Sequence, residues 1–233
     1  MNKQLPAGYA ELRPIADYAP WDTDRSFLTA YNRIKDNTLV DIYRCYSLWQ
    51  LALQLRHLEG DVLEVGVWRG GTGALLTQAL RDDPTCTIYL ADTFRGVVKA
   101  GPRDDYYKGG EHANTSRETV EQLIAAVGGE RVRILEGIFP DETGTGIDAS
   151  RLRMCHIDVD VYQSALDVLE WVWPRLAVGG VVVFDDYGFF GCEGVTALGN
   201  ELLARAQKAP VDYIFTYNLN GQGVMLKKAS KNF

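Results

Sequence analysis

From about residue 60 onward, short apolar runs rich in β-branched residues alternate with stretches of helical spacing. Residues 62–65, 87–91, 132–135, 152–157 and 181–184 read as strands buried on both faces, since each is an almost unbroken apolar run. Apolar residues at helical spacing predict helices over 39–57, 72–80, 162–176 and 193–206. Thr115-Ser116-Arg117-Glu118 offers a capping box for another, ending near Val127. Residues 213–217 and 223–226 close the chain as an antiparallel pair, and Gly179-Gly180 reads as a break between helix and strand. Regular alternation of strand and helix predicts an α/β fold: a doubly wound, mostly parallel, seven-stranded Rossmann-like sheet. A loop spans 93–114 and another 137–150. Residues 1–35 hold Pro6, Pro14 and Pro20 beside Tyr9, Tyr18, Trp21, Phe27 and Tyr31, predicting an irregular arm ahead of a domain at 36–233. Its aromatics argue against a disordered tail. Such an arm packs on its own domain or on a partner subunit, or closes over an active site.

Two strands end abruptly in carboxylates. Cys155-His156-Ile157 runs into Asp158-Val159-Asp160, and Val181-Val182-Val183-Phe184 into Asp185-Asp186. In open α/β sheets the C-terminal edge is where ligands bind. Carboxylates gathered there repel one another and resist desolvation unless a cation sits among them. An all-oxygen set of Asp158, Asp185 and Asp186 suits a hard divalent ion such as Mg²⁺.

Glu64-Val65-Gly66-Val67-Trp68-Arg69-Gly70-Gly71-Thr72 is a strand end, a glycine turn and a helix start. A dinucleotide site places a second glycine close to a pyrophosphate. Trp68 stands at that position and would obstruct it. The turn instead fits a cofactor without phosphates. Asp92, at the end of the second strand in Leu90-Ala91-Asp92-Thr93-Phe94, is of the type that accepts both hydroxyls of a ribose. A glycine turn with a strand-two acid and no pyrophosphate chemistry points to S-adenosylmethionine.

Together Glu64-Val-Gly-Val-Trp-Arg-Gly-Gly, Asp92-Thr-Phe-Arg-Gly, His156-Ile-Asp-Val-Asp-Val-Tyr162 and Phe184-Asp-Asp-Tyr187 resemble the macrocin O-methyltransferase family, in the right order over roughly 36–228. The resemblance implies a class I methyltransferase fold, S-adenosylmethionine and Mg²⁺ as cofactors, a homo-oligomer, and a sugar hydroxyl on a glycosylated natural product as acceptor. It implies Asp158, Asp185 and Asp186 as metal ligands, and Glu64, Gly66, Trp68, Thr72, Asp92, Thr93 and Phe94 around the methyl donor. The family's mobile lid with a catalytic histidine matches Glu111-His112; Asp160 is the other candidate base. A histidine titrates near neutral pH, where a general base works best, whereas an aspartate is a weaker base. Both alternatives stay open.

Other residues read more plainly. His156 lies within a strand and reads as a hydrogen-bonded core residue, His57 as a surface one, and Trp171 and Trp173 as core packing. Tyr187, Phe189 and Phe190 either line an acceptor pocket or cover the sheet edge. The 233 residues, 46% hydrophobic and 24% charged with net charge −7, suit one soluble, cytoplasmic α/β domain. Acidity without a basic run disfavours nucleic acid and anionic membranes. No apolar stretch approaches a membrane span, and Met1-Asn2-Lys3-Gln4 opens no signal-peptide core. Cys45, Cys86, Cys155 and Cys192 lack metal-ligand spacing and read as reduced packing residues.

Rival functions remain at this level. A catechol or phenol methyltransferase would use the same donor and metal. A metal-dependent glycosyltransferase would use Asp158-Val159-Asp160 as a D-x-D pattern, leaving Asp185-Asp186 unexplained. Trp68 disfavours a nicotinamide oxidoreductase. Three convergent carboxylates are costly to keep in a non-catalytic binding module.

Overall fold

The computed structural model of the chain describes residues 5–13, 15–148 and 151–229. Pro14 and the first four residues, which entered the arm and leader readings, lie outside them. Seven strands form one sheet in the order β3-β2-β1-β4-β5-β7-β6. They are β1 (Asp61–Val65), β2 (Ile88–Asp92), β3 (Val132–Glu136), β4 (Leu152–Ile157), β5 (Leu176–Phe184), β6 (Tyr213–Tyr217) and β7 (Gly223–Lys227). The first five are mutually parallel; β7 runs antiparallel to β5 and to β6. The doubly wound expectation therefore holds, with β1 and β4 adjacent where the strand order reverses.

Helices α1 (Arg25–Ile34), α2 (Ile42–Leu55), α3 (Gly71–Ala79) and α4 (Arg117–Ala126) contribute to one core layer. Helices α5 (Tyr162–Val172) and α6 (Glu193–Lys208) cover the other face with Phe184, Phe215 and Met225. No helix among the described residues is long and apolar enough to cross a membrane.

The predicted arm is irregular only as far as Asp24. The Asp24 carboxylate accepts from Phe27 N–H at 3.0 Å and starts α1, an amphipathic helix whose Phe27 and Ile34 are fully buried. The three prolines precede this helix, so they do not oppose it. Phe27→Ala should cost roughly 3–5 kcal/mol, read as a lower denaturation midpoint at unchanged slope. A loss below about 1 kcal/mol would mean that α1 is an appendage.

Smaller differences have local causes. The cap of α4 is Ser116, whose hydroxyl accepts from Thr119 N–H, one residue beyond the predicted box. Pro174 has no N–H to give, and α5 gives way at Trp173–Arg175 to a 3-10 turn instead of reaching 176. β5 begins at Leu176 and runs through Gly179-Gly180, with Gly179 at φ +84° and its register to β4 shifting there.

Candidate active site

The parallel ladder continues one residue past two strand ends. Asp158 N–H donates to Val65 C=O, and Asp185 N–H to Ile157 C=O, both at 2.9 Å. The carboxylates of Asp158 and Asp185 thus emerge side by side at the C-terminal edge, with Asp186 beside them. Close approach also explains Gly66: at φ +87°, a Cβ there would lie 1.6 Å from the Asp158 carbonyl oxygen. The strand ends demand this glycine whether or not a ligand is bound.

A cavity of about 760 Å³ opens at this edge, within the size range of small-molecule sites. Gly66, Trp68, Thr72, Asp92 and Thr93 line it on one side, and His112, Asp158, Asp160, Asp185 and Asp186 on another. Phe189 and Phe190 line it as well, whereas Tyr187 is buried in the core against Phe215 and donates its hydroxyl to Asn200.

Two predicted donor contacts fall elsewhere. Glu64 is fully buried, with Oε1 2.8 Å from His156 Nδ1, and does not line the cavity. Phe94 takes up φ +51° and packs onto the core beneath α1–α4. Asp92 is also more engaged than a free ribose acceptor. Its Oδ2 accepts from Val67 and Trp68 N–H at 2.7 and 2.8 Å, and its Oδ1 from Phe94 N–H at 2.7 Å. It therefore shapes the glycine turn, with its remaining lone pairs available to a ligand. Trp68 turns its indole N–H to Asn114 at 2.9 Å, tying the turn to the loop after β2. That loop is pinned to α5 as well, since Tyr162 N–H donates to Asp104 and Ser164 Oγ to Val98 C=O.

The three metal-type aspartates are not equivalent. Fully buried Asp185 accepts from His156 and Gln222 on Oδ1 and from Arg44 on Oδ2. Burial pushes its pKa up, but Arg44, His156 and Gln222 outweigh that and hold it below the ordinary value. Asp186 accepts from Asp160 N–H at 2.9 Å and lies 3.6 Å from Cys192 Sγ, so Cys192 belongs to the cavity wall rather than to packing alone. Asp158 takes no side-chain hydrogen bond from the described residues. Burial and the charges of Asp185 and Asp186 push its carboxyl well up, and burial with Asp160 and Asp185 does the same to Asp186.

Ligand-type atoms gather in two groups, His156–Asp158–Asp185 and Asp160–Asp186–Cys192, each within 4.8 Å. The predicted triad spans both groups. His156 has both ring nitrogens hydrogen-bonded, as the core reading expected, and its contact with Asp185 carries the Glu64 interaction to the site. Two buried carboxylates facing a third, one without a hydrogen bond, form a donor set that fits a cation of the Mg²⁺ type.

Sequence reasoning missed Arg44, Gln222 and Tyr107. Arg44 is placed by the cap of α2, where Asp41 accepts from Tyr43 and Arg44 N–H and from Arg44 Nε at 2.8 Å. Tyr107 Oη lies 3.2 Å from His112 Nε2.

The sequence profile of the macrocin-O-methyltransferase family matches residues 30–213. The chain belongs to the macrocin-O-methyltransferase family. It is 35% identical to the 8-demethyl-8-(2,3-dimethoxy-alpha-L-rhamnosyl)-tetracenomycin-C 4'-O-methyltransferase of Streptomyces olivaceus, over 57% of this chain and 55% of that protein. Mycinamicin III 3''-O-methyltransferase of Micromonospora griseorubida is also 35% identical, over 57% of each. The chain therefore spans a little over half the length of these curated relatives. The solved structure of the O-methyltransferase NovP superposes with a TM-score of 0.69 at 28% identity, covering 83% of each chain. Membership in the macrocin-O-methyltransferase family accounts for the glycine turn, the strand-two acid and the paired strand-end carboxylates within one domain.

Proposed function

We propose that this protein transfers a methyl group from S-adenosylmethionine to a hydroxyl of a sugar carried by a natural product, with Mg²⁺ as cofactor. The observation that carries this reading is the meeting, in one cavity, of a phosphate-free glycine turn braced by Asp92 with a buried, self-repelling carboxylate cluster. The curated relatives, named as methyltransferases of a rhamnosyl-tetracenomycin and of a mycinamicin, support a glycosylated acceptor. A metal-dependent glycosyltransferase is disfavoured by the family match and by Trp68.

Asp158, Asp185 and Asp186 would hold Mg²⁺. When bound, the ion makes a neighbouring acceptor hydroxyl more acidic. The protein's own residues supply the remainder. Gly66, Trp68 and Thr72 position the donor, and Phe189 and Phe190 flank the space left for the acceptor. His112 takes the hydroxyl proton as the oxygen forms its bond to the methyl carbon and the sulfonium carbon–sulfur bond breaks. Holding oxygen and methyl in near-attack geometry contributes much of the acceleration.

His112→Ala should lower kcat by about 10²–10³-fold with little change in affinity for S-adenosylhomocysteine. An unchanged rate across pH in that variant would transfer the role of base to Asp160 or water.

A further inference from the structure

The two rival bases are joined by a third residue. Tyr107 is 9% exposed, packed against Val161 and Cys192, and therefore held in one orientation. Its hydroxyl lies 3.2 Å from His112 Nε2 and is also hydrogen-bonded to the Asp160 carboxylate. His112 and Asp160 both sit at positive φ, +62° and +65°. Non-glycine residues hold such a backbone at a cost, and those that do cluster at functional sites. A hydroxyl has one hydrogen to give, and a carboxylate can only accept. The Tyr107 hydrogen therefore goes to Asp160, and the Tyr107 oxygen must accept from His112 Nε2–H. Nε2 then carries the hydrogen, and Nδ1 is left with the lone pair.

We propose that Tyr107 is a positioning residue: its hydroxyl couples the Asp160 carboxylate to His112, fixing the Nε2–H tautomer and leaving Nδ1 as the basic nitrogen. His112 and Asp160 are then two ends of one relay instead of competing bases. The base role rests on the methyl-transfer reading; the tautomer does not. In the reaction the acceptor proton passes to His112 Nδ1, the methyl passes from sulfur to oxygen, and neutral S-adenosylhomocysteine leaves. The imidazolium keeps its Nε2–H on Tyr107, with the Asp160 charge behind it, until it returns the proton to water.

The protein has three histidines, so ring nitrogen-15 resonances can be assigned by comparison with His112→Ala. The spectrum, recorded without donor or acceptor, is expected to show His112 in the Nε2–H form. Tyr107→Phe keeps the packed ring, and should move His112 to a mixture of tautomers. The same variant should lower kcat at least about tenfold while leaving both KM values within about twofold. An Nδ1–H form in the wild-type protein, or the same tautomer in Tyr107→Phe, would overturn the proposal whether or not methyl transfer is the reaction. A kcat unchanged in Tyr107→Phe beside an altered spectrum would overturn its part in turnover.

Discussion

Asp158→Asn should abolish most turnover while making the metal-free protein more stable. The two effects have one cause. Asp158 is a carboxylate without a hydrogen bond from the described residues, beside Asp185 and Asp186, and its pKa is pushed well up by burial and those neighbours. Removing its charge relieves repulsion in the absence of a cation. The same change takes away an oxygen that would hold Mg²⁺, and losing several kcal/mol of charge stabilisation corresponds to a rate loss on the order of 10³-fold. Chelation of the wild-type protein with EDTA should have the same effect on rate, reversed by added Mg²⁺. Thermal melts separate the cases: Mg²⁺ should raise the wild-type Tm and leave the variant unmoved. Full activity of Asp158→Asn in EDTA would remove the metal from the account. Asp185 is the less informative position, because Arg44, His156 and Gln222 already occupy it and its loss would strand buried cationic groups.

The largest loss of stability is expected far from the cavity. Arg153 is 1% exposed, with Nη2 2.7 Å from Asp83 Oδ2 and Nη1 donating to the carbonyls of Arg56 and Leu58. It ties β4 to the end of α2 and the turn after α3. Asp83→Ala leaves a buried guanidinium without its counter-charge, a change that typically costs 3–5 kcal/mol, or a Tm lower by roughly 10 °C. Adding Arg153→Met should recover part of that loss, since an apolar side chain needs no partner there. Burial opposes ionisation of Asp83, but hydrogen bonds from Thr85 and Arg153 prevail and bring its pKa down to about 2. A carboxyl held below its unfolded value of about 3.9 stabilises the fold above that pH. Its contribution should fade between about pH 4 and pH 2 in the wild type, and that part of the acid transition should be missing in Asp83→Ala. A double variant no more stable than Asp83→Ala would show that the ion pair is not what the fold relies on.

The chain showed its strands clearly because a strand covered on both faces must be apolar at nearly every position, as in Val181–Phe184. The strand-end aspartates were legible for the same reason, since a carboxylate after such a run marks the sheet edge. Other features depend on distance through the fold. Arg44 and Gln222 lie 141 and 37 residues from Asp185, and no local spacing announces that they converge on it. Glu64 and Phe94 sit within motif-like runs that reach the cavity, but alternation along β1 and the turn at Phe94 carry their side chains into the interior. The signal for α1 was present in Asp24 and in its apolar spacing, yet the prolines ahead of it dominated the reading.

Isothermal titration with S-adenosylhomocysteine, with NAD and a UDP-sugar as controls, tests the central claim most directly. Saturable micromolar binding of S-adenosylhomocysteine alone is the predicted result, since Trp68 leaves no room for a pyrophosphate at the glycine turn. Absence of that heat, or saturable binding of the UDP-sugar instead, would contradict the assignment of the cavity to a methyl donor.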